Sequence, residues 1–287
     1  MNATNTGSTR RRRRGAAVTA AVAALVLALS ACGSDEPGSG GSGGSEDKAA
    51  AAGITLVKPG KLTVCTHLPY KPFQYKEGTK VVGFDVDLLD LLANDLGIEQ
   101  EVVNIEWAQV TSGAAFKARK CDMGMGAMTI TPERQAAISI TAPYMNASQV
   151  LLVKKDAPYK SLADLKGKKV GVQADTTGKD FADKQSKVHG FEVLTFSDLA
   201  LQGNNLKSGR VDAAINDNGV LYDFVKANPD TAVVTEFDTG EQYGFAALKD
   251  GSGPKLVEKF NTLLAQAKTD GKYDEIYKRW FGVEPKK

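Results

Sequence analysis

Arg134 ends the run Met128-Thr129-Ile130-Thr131-Pro132-Glu133-Arg134, which reads as a strand end passing into a helix. Thr131 suits the N-cap and Pro132 the first helical position, so Arg134 falls in the first turn. A cation there opposes the helix dipole, at about 0.3–1 kcal/mol when exposed. The position makes sense where the guanidinium holds an anion, and its planar fork can grip both oxygens of a carboxylate. The alternative is a surface arginine on an ordinary capped helix. Asp217 offers the opposite charge, between a strand and a helix. Its carboxylate either pairs with an ammonium or caps the following helix. A cation and an anion facing one another are what a zwitterion requires. Asp175-Thr176-Thr177-Gly178 is a second anion-binding element or a simple cap. It lacks the glycine–lysine signature of a nucleotide-binding loop, which excludes phosphate chemistry of that kind. Tyr70 and Trp107 follow predicted strands, and their rings either stack on a ligand's aliphatic part or pack in the core.

The pattern of apolar residues supplies the elements that hold these groups. Strands are predicted at residues 62–66, 81–84 and 101–105. Asp85 is expected to cap a helix that turns Leu88, Leu89, Leu91, Leu92 and Leu96 inward and stops at Gly97. A helix over 112–120 leads into a strand over 121–128, rich in Met, Gly and Ala, which another backbone or a ligand approaches closely. Residues 138–155 form one long extended segment. Strands then recur at 170–173, 192–196, 211–216 and 233–237, with helices between them. Residues 243–248 are extended, and helices over 253–268 and 272–280 close the chain. Such alternation predicts parallel sheets with flanking helices. Arg119-Lys120-Cys121-Asp122-Met123 and Gly209-Arg210-Val211-Asp212-Ala213 echo one another, each ending a helix and beginning a strand. Two similar α/β units joined by two extended segments predict two lobes with a double hinge, near 145–149 and 241–244. Ligands bind beyond the carboxyl ends of such strands, which gathers Met128-Thr129, residues 173–178 and Asn216-Asp217 around one cleft.

Residues 1–31 read as a signal peptide, with basic Arg10 to Arg14 followed by an apolar stretch too short to span a bilayer comfortably. Leu29-Ser30-Ala31-Cys32 is similar to the bacterial lipobox, which implies cleavage before Cys32 and lipid, such as palmitate, on that cysteine. The expected location is outside the cytoplasmic membrane, held by the lipid alone. The general and twin-arginine export routes both stay open. Setting aside those five arginines leaves 31 basic and 34 acidic residues. No clustered basic face points to nucleic acid. Residues 32–53 are rich in Gly, Ser and Ala and read as a flexible linker. The remaining stretch is long enough for two compact lobes. Cys65 and Cys121 each sit near the end of a predicted strand, as a disulfide in an oxidising compartment or as two buried thiols.

Five segments, in order, carry a family resemblance: Val82-Gly83-Phe84-Asp85-Val86-Asp87-Leu88, the Met128 to Arg134 run, Gly171-Val172-Gln173-Ala174-Asp175-Thr176-Thr177-Gly178, Gln242-Tyr243-Gly244-Phe245-Ala246, and the ending from Gly271-Lys272-Tyr273-Asp274 through Trp280-Phe281-Gly282. Over residues 62–285 the chain resembles the polar-amino-acid-binding proteins of bacterial ABC importers, the periplasmic-binding-protein class that includes the glutamine and lysine/arginine/ornithine binders. The resemblance implies a type II two-lobed α/β fold, with residues 54–145 and 244–287 in lobe 1 and 146–243 in lobe 2. It implies that Arg134 binds an α-carboxylate with Thr129 and the Thr177 backbone, and that Asp217 binds the α-amine with the Ala127 carbonyl. Tyr70 and Trp107 would sandwich the side chain, and His67 and Gln173 would read its tip. Basic-amino-acid and glutamine binders usually carry an acid where this chain has His67, so a polar neutral or acidic side chain fits better than a basic one. Asp175 stands where the family often has glycine.

The implied partners are a free L-amino acid and an ABC permease with its ATPase, and the implied state is a monomer without cofactor or metal. Two rival readings use the same fold. Dehydratases of aromatic amino-acid metabolism resemble this family, but catalysis requires a positioned acid or base. The two histidines form no evident Ser-His or Cys-His pair, and no metal-ligand cluster is apparent. A ligand-sensing module would share every binding residue with a transporter.

Overall fold

The computed structural model describes residues 44–285. The signal peptide, Cys32 and the first part of the expected linker lie outside the described residues. Residues 44–51 correct the expectation of a flexible linker at its end, because Gly44–Ala51 is a short helix. An alanine-rich run favours helix, and Ala49 is buried with Ile54 against the first core.

Two five-stranded sheets organise the rest. In the first, Lys61–Thr66 pairs in parallel with Glu99–Asn104 and with Met123–Gly124. Ala246–Ala247 then runs antiparallel between Met123–Gly124 and Ser139–Ile140. In the second, Lys169–Gln173 lies parallel to both Glu192–Phe196 and Ala213–Asp217. The long strands Met145–Lys154 and Thr231–Tyr243 complete it, antiparallel to each other. The sheets are therefore mixed rather than wholly parallel. The antiparallel members are the segments by which the chain leaves the first lobe and returns to it.

The helix Phe84–Leu96 buries Leu88, Leu89, Leu92 and Leu96 on the first sheet, and Gly97 ends it in the left-handed conformation. Full burial of such side chains stabilises by about 1.5–3 kcal/mol each. Its start differs from expectation. Gly83 is the N-cap, and a Cβ there would lie 2.0 Å from the Phe73 carbonyl oxygen, so the chain crosses too closely for any other residue. Asp85 is consequently inside the helix and fully buried rather than a cap. The expected helix over 112–120 is replaced by Trp107–Thr111 and Ala114–Lys117, divided at Gly113. The expected strand over 121–128 shrinks to Met123–Gly124, after which the backbone turns through left-handed Ala127, φ 47°.

The second sheet is covered on both faces. Leu151 and Val153 enter one core with Val170, Val172 and Ile215. Val150 and Leu152 enter the other with Leu206, Val211 and Leu221. That is the two-residue alternation of a buried strand. Cys65 and Cys121 are disulfide-bonded across the first lobe, 56 residues apart in sequence. Among the described residues no helix is long and apolar enough to cross a membrane.

Candidate functional site

Thr131 accepts the Arg134 backbone N–H at 3.1 Å, and Pro132 opens the short helix Pro132–Ala137. The guanidinium is not on the surface. Arg134 is only 9 % exposed. One terminal nitrogen donates to the Thr129 carbonyl at 2.9 Å and the other to the Asp175 carbonyl, in the opposite lobe, at 3.0 Å. Its centre lies 5.9 Å from the Trp107 ring. Burial lowers the Arg134 pKa, against which the Asp217 charge acts. An arginine stays protonated regardless, so this site holds a desolvated cation bound to carbonyl oxygens that a carboxylate can replace.

Asp217 precedes the helix Asn218–Ala227 yet makes no side-chain capping bond. Its carboxylate, 4 % exposed, turns into the cleft instead. Gln149 Nε2 donates to Oδ1 at 2.6 Å, while the Tyr243 and Tyr70 hydroxyls donate to Oδ2 at 2.7 and 3.3 Å. Burial raises its pKa, opposed by the Tyr243 and Gln149 hydrogen bonds and the Arg134 charge. The Gln149 amide also donates to Glu241 at 2.9 Å, so one side chain bridges two carboxylates. Burial and the Asp217 charge raise the Glu241 pKa as well.

The remaining expected residues line the same cleft: His67, Tyr70 and Trp107 on one wall, Ala127 and Thr129 beside Arg134, and Gln173 and Thr177 opposite. Several bridge the lobes. The Tyr70 hydroxyl shares its one proton between Asn216 Oδ1, at 2.9 Å, and the more distant Asp217 Oδ2, the Trp107 indole N–H donates to the Asp175 carbonyl at 3.1 Å, and the Thr129 and Thr177 hydroxyls lie 3.2 Å apart. Thr177 opens the helix Thr177–His189, whose N-cap is Thr176. Asp175 holds a left-handed φ of 58°, which aspartate tolerates better than most residues. His67 Nδ1 is 3.0 Å from the Ile105 carbonyl oxygen. A carbonyl only accepts, so Nδ1 carries the proton, and in the neutral ring Nε2 is an acceptor.

Gln74 was not anticipated from the sequence. It lines the cleft at 1 % exposure, and its Oε1 has no hydrogen-bond partner. Its only sequence signal is its place four residues after Tyr70. Gln149 and Glu241 fall in the two segments read as hinges, without a role assigned. Among the described residues no group of three or more His, Cys, Asp or Glu could hold a metal.

The model of the bacterial extracellular solute-binding proteins, family 3, matches residues 62–283. The arginine-binding extracellular protein ArtP of Bacillus subtilis is 33 % identical over 224 residues, covering 78 % of this chain and 87 % of the relative. An ancestral arginine-binding protein bound to arginine has a TM-score of 0.72 at 40 % identity, over 77 % of this chain and 98 % of that one. A second ancestral structure, bound to glutamine, has a TM-score of 0.72 at 39 % identity, over 78 % and 99 %.

Proposed function

The chain belongs to the bacterial extracellular solute-binding proteins, family 3; it is an amino-acid-binding component of an ABC transporter rather than an enzyme, and we propose that its ligand is a free L-amino acid with a neutral, amide-like side chain. Arg134 takes the α-carboxylate with Thr129 and the Thr177 backbone. Asp217 takes the α-amine with the Ala127 carbonyl. Tyr70 and Trp107 enclose the aliphatic part, and His67, Gln74 and Gln173 meet the tip.

The observation that carries this choice is the charge of the lining. Asp217 is the one acid among the residues that line the cleft, and the amine uses it. A guanidinium would then bury a full charge with no second carboxylate in the lining, since Glu241 lies outside it and is already held by the Gln149 amide; an unpaired buried charge costs several kcal/mol. An acidic tip offers no donor to the unpartnered Gln74 Oε1, whereas a primary amide can donate to it. Arginine is the competing ligand, because relatives carry its name. Calorimetric titration of the delipidated protein with all twenty amino acids decides between them. Glutamine or asparagine should bind at least tenfold tighter than arginine, and the reverse order defeats the neutral-tip reading.

The same proposal extends to the protein's setting. Residues 54–145 with 244–287 form one lobe and 146–243 the other, and the monomer hands its ligand to a permease and its ATPase. The lipobox sequence supports a lipid on Cys32 that anchors the protein outside the cytoplasmic membrane. Cys32→Ser should release the protein into the medium or leave it unprocessed; retention in a processed form would count against the anchor.

A further inference from the structure

Asp85 is a fully buried carboxylate outside the cleft lining. Its Oδ2 accepts the backbone N–H of Gly126 at 3.0 Å and of Ala127 at 2.8 Å. Its Oδ1 accepts the Tyr144 hydroxyl at 2.8 Å. All three donors belong to segments distant in sequence. Gly126 and Ala127 form the turn that leads to Thr129, with φ of 151° and 47°. A left-handed alanine costs about 1–2 kcal/mol and persists only where the surroundings hold it. Tyr144 is the last residue before the crossing strand Met145–Lys154. Its backbone N–H donates to Tyr243, on the returning strand, at 2.9 Å, its carbonyl accepts the Tyr273 hydroxyl at 2.7 Å, and its ring stacks on Phe245 at 4.6 Å.

We infer that Asp85 is a positioning residue for amino-acid binding: it holds the Gly126–Ala127 turn so that the Ala127 carbonyl faces the ligand amine, and it ties that turn to the hinge through Tyr144. The inference rests on the proposed role of the Ala127 carbonyl. Two successive backbone N–H groups aimed at one carboxylate fix the orientation of both peptide planes before Ala127. With that orientation set, the peptide that follows is constrained too. An aliphatic residue at position 85 would fill the space but leave three donors unpaired, a state native proteins avoid. The hydroxyl of Tyr144 makes the same carboxylate sense the hinge. A rotation of the crossing strand that draws this hydroxyl away removes one of its three donors and loosens its hold on the turn. The groups facing Asp85 are few: Tyr144 from the crossing segment, the two N–H groups of the turn, and the charge-coupled Tyr273 of the last helix.

The test compares Asp85→Ala, Asp85→Asn and Tyr144→Phe in the full mature protein, by calorimetry with the tightest amino acid from the twenty-member panel. Binding by the wild type checks the amino-acid reading itself, and the variants then check the inference alone. Asp85→Ala should weaken binding at least tenfold. Asp85→Asn should stay within about threefold, because its Oδ1 accepts both N–H groups while its amide donates to the tyrosine oxygen. A role in folding alone would not give this rescue together with loss of affinity in a folded alanine variant. Hydrogen exchange at Gly126 and Ala127 should be slow in the wild type and at least tenfold faster in Asp85→Ala. Should that variant not fold, Tyr144→Phe carries the same readouts, with threefold or greater loss of affinity and faster exchange at both amides. Wild-type exchange at these two amides as fast as in exposed loops overturns the inference. So does unchanged affinity in Asp85→Ala or, where that variant is unfolded, in Tyr144→Phe.

Discussion

Two buried carboxylates, Asp85 in the first lobe and Asp217 in the second, each receive a tyrosine hydroxyl from a crossing segment, Tyr144 for one and Tyr243 for the other. Their other partners differ. Asp85 is completed by two backbone N–H groups, which cannot leave without moving the turn they belong to. Asp217 is completed by the side chains of Gln149 and Tyr70. Side-chain donors can rotate away and let an ammonium take their place. On the reading proposed above, the acid held by backbone serves as a brace and the one held by side chains as a receptor. The lobes differ in the same sense. The first is cross-linked by Cys65–Cys121, while the second relies on apolar residues packed on both faces of its sheet.

The largest expected effect concerns that cross-link. Closing a loop of this length stabilises by about 4 kcal/mol in the chain-entropy account. Reducing it should lower the denaturant midpoint of the first lobe while the second unfolds unchanged. A single transition that shifts as a whole would show the lobes to be one cooperative unit.

Nearly as large is the pH effect at Asp85, whose pKa burial pushes up to about 7 from an ordinary 3.8. A raised native pKa means a stabilising contribution fully present below about 3.8 and lost as pH rises through about 7. Asp85→Asn does not titrate. Its stability should gain on the wild type between those pH values, by up to about 4 kcal/mol above pH 7. Denaturant melts of the two at pH 5 and pH 8 measure this; a constant difference would mean that Asp85 keeps an ordinary pKa.

Removing either charge of the cleft comes next. Arg134→Ala and Asp217→Ala should each weaken binding at least about thirtyfold, or about 2 kcal/mol, because the opposite charge is left buried. The raised Asp217 pKa also gives a sign to the pH dependence. An ammonium needs the ionised carboxylate, so affinity should fall as pH drops through that pKa and should lose this component in Asp217→Asn.

The hydroxyls test exchangeability at Asp217. Tyr70→Phe and Tyr243→Phe each remove a donor to the acid, at about 1.5–3 kcal/mol for a charged hydrogen bond. The Tyr70 hydroxyl reaches across the lobes, so its loss should weaken closure without ligand more than it weakens ligand binding. Small-angle scattering should show Tyr70→Phe, which loses the hydroxyl that crosses from the first lobe, more open than the wild type without ligand and equally compact with it. The smallest change in affinity is expected at His67, where substitution should alter which amino acid is preferred more than whether one binds.

How far the sequence reveals this depends on how local each signal is. Thr131-Pro132 announces the helix start that carries Arg134, and the cap is as the spacing implies. Asp217 sits equally well as an N-cap, and only its side-chain partners, with no capping bond, favour the proposed receptor role. Gln149 lies among Val150, Leu151 and Leu152, where it reads as part of a strand. It reaches Asp217 because the two are register partners on neighbouring antiparallel strands. Gln74 becomes a cleft residue through a packing that no short spacing encodes. Asp85 looks like a cap until the Gly126–Ala127 turn, some forty residues on, claims its carboxylate. The mixed sheets were hidden for a related reason, since an extended run does not announce its direction. Local caps and periodicities are legible, and partners brought together by the second crossing of the chain are not.

The most direct test of the zwitterion cleft is a set of calorimetric titrations crossing ligand and protein. Glutamine, its des-amino analogue and its α-carboxamide are each titrated into the wild type, Arg134→Ala and Asp217→Ala. The account predicts that the des-amino ligand binds weakly to the wild type and loses little more on Asp217→Ala, while the carboxamide behaves in the same way toward Arg134→Ala. Near-native affinity of both alanine variants for glutamine, or equal losses for every ligand on each variant, would contradict it.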